Sequence, residues 1–204
     1  MIMKRFIRTY VAIALILVLS ACSNNTGTPN LLSKEGIAPY ELSEQEAYLL
    51  NSLGISSNTK LFSSKAPKAA KSLSVNVYVL DEHTWKVVDG GQISLDKESL
   101  ERLEGLFTMM LKDNYAIDFS INTKGRASYE TKELNVDFDM ISSSKGFLED
   151  FQLIEMNKEI PVAIMMYDSG TSMRSHNVSD FFSPSKFGDV DLVQAVTLTF
   201  SEAN

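Results

Sequence analysis

The chain has 204 residues, with 19 basic and 26 acidic side chains, a formal charge of −7 and a single cysteine. An acidic body repels phosphate backbones and no Lys/Arg stripe interleaved with aromatics offsets that, so nucleic acid is not an expected partner. One cysteine provides neither a disulfide framework nor a thiolate zinc site, so one domain must be stabilised by packing alone.

The first residues, "MIMKRFIRTYVAIALILVLSAC", place Lys4, Arg5 and Arg8 ahead of an uncharged stretch from Thr9 to Ala21. A permanent span of the hydrocarbon core takes roughly 20 apolar residues, whereas this run has the dimensions of a signal-peptide core. Leu19-Ser20-Ala21-Cys22 resembles the lipobox of bacterial lipoproteins. The resemblance implies diacylglycerol on the Cys22 sulfur, cleavage before Cys22, and an extracytoplasmic protein whose partner is the membrane itself. Two acyl chains suffice for stable anchoring where one does not. Residues 1 to 21 hold three basic and no acidic side chains, so the chain from Cys22 onward would carry 16 basic against 26 acidic ones, a charge of −10.

"SNNTGTPN" after Cys22 has nothing periodic to bury, and residues 22–40 read as a flexible tether, its ends roughly 20 to 25 Å apart. The remainder, 41–204, reads as a single domain. "ELSEQEAYLLNSLGI" predicts an amphipathic helix over 43–53, with Ser43 as N-cap, Glu46 completing a capping box and Gly54 as the stop; its apolar stripe can pack on a sheet.

From Leu61 the period changes to two. "SLSVNVYVLD" alternates as a half-buried strand, and "TWKVVDGGQISL" reads as a hairpin or bulged bend centred on Asp89-Gly90-Gly91. Residues 97–111 fit both a helical stripe and a strand. Gly105 and the neighbouring "NYAIDFSINT", with Asp113-Asn114 as a turn, favour a hairpin preceded by one helical turn. "LNVDFDM" alternates as a further strand, "SSSKG" breaks the pattern, and "DFQLIEM" and the nearly continuous apolar "EIPVAIMMYDSG" follow. The second of these suits a central strand covered on both faces, with Pro161 at its beginning. "DLVQAVTLTFSE" closes the sheet. The expected fold is mainly β, an antiparallel β-sandwich with one N-terminal amphipathic helix.

No catalytic constellation emerges, and no cofactor or metal is called for. His83 in "DEHTW" reads as a solvated turn residue. Ser175, His176 and Asp180 have the residue types of a hydrolase triad, but as neighbours in one loop they lack the usual assembly from distant segments. Asp137 and Asp139 on one strand face, or Asp189 and Asp191 in a loop, offer carboxylate pairs for a glycosidase or calcium, and they equally suit a solvated acidic surface. Met109-Met110 and Met165-Met166 read as core fillers.

The segment richest in recognition chemistry is "DFFSPSKFGDVD", where Phe181, Phe182 and Phe187 crowd a Pro/Gly-containing loop. They could form a recognition surface for a cell-envelope protein or glycan, or plug the open end of the sandwich; Trp85 and Tyr78 face the same choice. The helix, "KLFSSKAPKAAKSLSVNVYVLD" and the closing "DFFSPSKFGDVDLVQAVTLTFSE" together resemble uncharacterised lipoproteins of Gram-positive gut bacteria. That resemblance implies an anchored β-sandwich and no site residue. The function expected is a lipid-anchored, non-catalytic binding module. The alternatives are an anchored glycan hydrolase and an accessory subunit of an envelope complex.

Overall fold

The computed structural model describes residues 31 to 202 apart from Lys124. The expected signal peptide, residues 1–21, and Cys22 lie outside the described residues. Among the described residues ten strands and one helix follow in chain order: β1 (Gly36–Pro39), α1 (Glu44–Ser52), β2 (Thr59–Lys65), β3 (Ser72–Asp81), β4 (Thr84–Ser94), β5 (Glu104–Leu111), β6 (Ile117–Asn122), β7 (Arg126–Glu130), β8 (Ser142–Phe147), β9 (Glu159–Asp168) and β10 (Leu192–Ser201). Two 3-10 turns, Val178–Phe182 and Pro184–Phe187, lie between β9 and β10.

The strands form two five-stranded antiparallel sheets, ordered β1-β2-β5-β6-β7 and β4-β3-β10-β9-β8. Their facing surfaces share one core. Phe62, Phe107 and Phe119 of the first sheet join Val75, Val77, Met165, Leu198 and Phe200 of the second, all buried. The arrangement is that of a β-sandwich, as the alternating patterns predict.

Local chemistry explains the boundaries. Glu46 N–H donates to Ser43 Oγ (3.3 Å) and Ser43 N–H to Glu46 Oε2 (2.8 Å), so the predicted capping box is formed, and Gly54 follows the helix with φ of 70°. At the β3–β4 hairpin Glu82 and His83 both have positive φ, 45° and 67°, which gives a two-residue turn the twist its flanking strands need. His83 is therefore an exposed turn residue. Gly105 lies within β5, where a Cβ would come 1.9 Å from the Asn122 carbonyl oxygen of β6; only glycine permits that approach. Residues 104–111 are thus strand, and β5–β6 is a hairpin across Asp113-Asn114, but no helical turn precedes Gly105.

Several expectations are corrected. The described part of the tether, 31–40, is structured: β1 pairs with β2, Ile37 is fully buried and exchanges two 2.8 Å backbone hydrogen bonds with Gln152, and Glu35 pairs with Arg102 at 3.3 Å. Helix α1 buries no residue; Tyr48, Leu49 and Leu53 are exposed and only Leu50 of its stripe is turned into a groove described below. Of the two alternatives at Asp89-Gly90-Gly91, the hairpin does not form and the bulge does, immediately before Asp89. The ladder shifts register between Val77 and Tyr78, which leaves Val88 as the extra residue of a bulge, and β4 continues to Ser94.

"LNVDFDM" forms no strand. Leu134, Val136 and Phe138 pack against the core while Asp137 and Asp139 are exposed, so the alternation is real, but the segment has no partner strand. "SSSKG", read as a break, is part of edge strand β8, paired along its length with β9. "DFQLIEM" contributes one isolated bridge rather than a strand. The apolar run of β9 is covered on both faces as expected: Met165 and Tyr167 point into the main core, and Ile164 and Met166 into a second, smaller one.

Candidate functional site

The second core brings together four of the five aromatics singled out in the sequence, Trp85, Tyr78, Phe181 and Phe187. Trp85 stacks on Phe181 (centroids 5.1 Å apart) and meets Phe187 edge-on (5.6 Å); Tyr78 meets Phe181 at 5.4 Å. The indole N–H donates to the Phe181 carbonyl oxygen at 2.7 Å. Phe181 and Phe187 are 6% and 3% exposed, and Ile164, Met166, Val193 and Ala195 of β9 and β10 lie beneath them. The cluster is not at the end of the sandwich. It covers the outer face of the second sheet. Phe182 alone turns outward, 64% exposed, with its ring edge-on to Phe181.

Polar contacts hold this cover closed. Asn177 caps the first 3-10 turn by accepting from Ser179 N–H at 3.1 Å. Asp180, itself buried, accepts from Lys186 Nζ at 2.5 Å and lies 3.1 Å from His176 Nδ1. The Lys186 hydrogen bond, aided by His176 and opposed by burial, holds the Asp180 carboxyl below the usual carboxylate range. The His176 ring packs on Phe187 at 4.8 Å. Of the triad residue types, His176 and Asp180 therefore meet, while no hydrogen bond joins the exposed Ser175 to His176. Asp191 is likewise structural: it accepts from Ser169 N–H (2.7 Å) and Oγ (2.6 Å), and these bonds lower its pKa.

The outer face of the first sheet is different. Register places its outward residues in three rows across β2, β5, β6 and β7. Thr59, Met110, Asp118 and Glu130 form one end row, Leu61, Thr108, Ser120 and Ser128 the middle row, and Ser63, Leu106, Asn122 and Arg126 the other end row. With Leu50 of α1 and Ile55 beyond it as a wall, the first two rows and Arg126 line a concave groove of about 480 Å³. Its lining combines apolar Leu50, Ile55, Leu61 and Met110 with hydroxyls and charges, the mixture small-molecule sites show. Nothing local pointed to it, since its rows are brought together only by the register of separate strands and by α1.

Groove electrostatics are polarised along the strands. At one end Lys112 pairs with both Asp118 (3.3 Å) and Glu130, and the Glu130 hydrogen bond foremost raises the lysine pKa. At the other, Arg126 Nε donates to Ser120 Oγ at 3.2 Å and has no carboxylate within ion-pair distance among the described residues. Thr59, 8% exposed, has a buried hydroxyl without a hydrogen-bond partner, a costly state for a polar atom.

Beside the groove, Asp89 clips β4 to β7. Its carboxylate accepts from Tyr129 Oη, from Lys132 N–H (2.9 Å) and from Gly90 N–H (2.9 Å). Burial opposes ionisation of Asp89, but those bonds prevail and its pKa is lowered. Neither Asp137 nor Asp139 lines the groove. Asp118 and Glu130 do, but as direct cross-strand neighbours sharing one ammonium rather than as groups facing each other across a cleft. No group of three His, Cys, Asp or Glu side chains among the described residues is arranged to hold a metal ion.

Compared with known proteins, the chain matches no family model, no curated protein and no solved structure.

Proposed function

We propose that this chain is a lipid-anchored extracytoplasmic binding module that holds a small ligand in the groove on the outer face of its first sheet. The observation that carries the binding half of the reading is the groove itself: about 480 Å³, walled by α1 and lined by apolar, hydroxyl and charged side chains in register. The anchor half is supported by the order of charged start, apolar run, small pair and Cys22 at the head of the chain. The aromatic residues Trp85, Phe181 and Phe187 take a structural part in this reading, and only Phe182 remains as an accessory contact for an envelope protein or glycan.

Two experiments test it. Cys22→Ala releases a folded protein from the membrane fraction; retention of that variant contradicts the anchor. Native mass spectrometry of the full chain recovered from membranes shows a small molecule bound to the wild type and absent from Ser128→Trp, whose indole fills the middle row. Identical, ligand-free masses for both contradict the binding half.

A further inference from the structure

We propose that the groove takes a short free peptide of two to four residues as a zwitterion, its ammonium end toward Asp118 and Glu130 and its carboxylate toward Arg126. This rests on the groove being the binding site. The two ends differ in charge. One lysine ammonium between two carboxylates leaves the Asp118–Glu130 end with a net negative charge. Arg126 faces no carboxylate, so its end is positive, and a guanidinium fork matches a terminal carboxylate in two parallel hydrogen bonds.

Length selects the ligand further. Arg126 and Glu130 are four residues apart on β7, about 13 Å at the rise of a strand, and the lean of Arg126 toward Ser120 in the middle row shortens the gap to as little as about 7 Å. Extended peptides of two to four residues span about 7 to 14 Å. Between the charged ends lie the hydroxyls of Thr108, Ser120 and Ser128, suited to peptide N–H and C=O groups, and the unpartnered Thr59 hydroxyl lies in the acidic end row. Leu50, Ile55, Leu61 and Met110 offer an apolar wall for one or two side chains. A neutral glycan would leave both charged ends unanswered, and a polyanion would meet Asp118 and Glu130. A zwitterion of this length answers both ends at once.

The test is calorimetric titration of the full chain, at low salt, with Ala-Leu-Ala bearing free ends, with its N-acetyl form and with its C-terminal amide. The free peptide binds tightest, and capping either end weakens it about two- to fivefold, the range for exposed charge pairs. Arg126→Gln abolishes the penalty for the amide and keeps that for the acetyl group; Asp118→Asn combined with Glu130→Gln does the reverse. Arg126 and Glu130 are exposed, and a melting curve for each variant confirms the fold. Capped and free peptides binding equally, or Arg126→Gln weakening all three alike, overturns the zwitterion while leaving the groove as a site if Ser128→Trp still abolishes binding. No peptide binding at all also overturns this proposal, and the native mass measurement then decides the binding reading separately.

Discussion

The outer faces of the two sheets were given opposite treatments. On the second sheet the outward positions include Ile164, Met166, Val193, Ala195 and Leu80, and the β9–β10 connection folds back to lay Phe181 and Phe187 over them with Trp85 and Tyr78. On the first sheet the outward rows carry hydroxyls, carboxylates and an arginine beside a few aliphatic groups, and the chain leaves a groove there. An apolar face must be withdrawn from water, and each large aromatic that covers it contributes on the order of 2 to 3 kcal/mol through burial alone. A mixed face bears water at little cost and can exchange that water for a ligand. Aromatic residues therefore mark the closed face of this molecule and polar rows its open one.

The contrast can be broken most forcefully on the closed face. Phe187→Ala removes a buried ring that touches both Trp85 and His176, and the expected loss is about 3 to 5 kcal/mol, read as a lowered midpoint in urea unfolding. Asp180→Asn weakens the tie between the two 3-10 turns and costs about 1 to 3 kcal/mol by the same measurement. It also changes the acid limb of the stability curve. Because folding depresses the Asp180 pKa, its contribution is complete above the ordinary carboxylate range, about pH 4, and is lost as pH falls through the lower folded value. Melting temperatures taken downward from pH 5 should fall less steeply in the variant than in the wild type.

Smaller effects sharpen the comparison. Asp89→Ala removes the clip between β4 and β7 and is expected to cost about 1 to 2 kcal/mol, with amide exchange accelerating first along those two edge strands. Phe182→Ala, on the exposed ring of the aromatic group, should change stability by no more than about 0.5 kcal/mol in the same unfolding assay. A loss as large as that of Phe187→Ala would place Phe182 in the core as well.

How much of this was legible depended on how far apart the contributing residues are. The capping box needs only Ser43 and Glu46, three positions apart, and could be read directly. The apolar run of β9 announced cover on both faces, although nothing local said that the segment containing Phe181 would be the second cover. "LNVDFDM" misled because an extended segment resting one side on a core has the same period as a strand, whether or not a partner pairs with it. "SSSKG" was missed for the converse reason: an edge strand is held by the backbone of β9, and its side chains need no apolar pattern. The groove was invisible because its rows exist only through the register of four strands, which sets Leu61 beside Thr108, Ser120 and Ser128.

The most direct measurement is an amide chemical-shift titration of the full chain with free Ala-Leu-Ala. Shifts are expected in the two rows that line the groove, at Arg126 and at the end of α1, among them Leu50, Leu61, Thr108, Ser120 and Ser128, with the region of Trp85, Phe181 and Phe187 unmoved. Shifts centred on Phe182 and its aromatic neighbours, with the groove rows silent, would contradict the groove as the binding site.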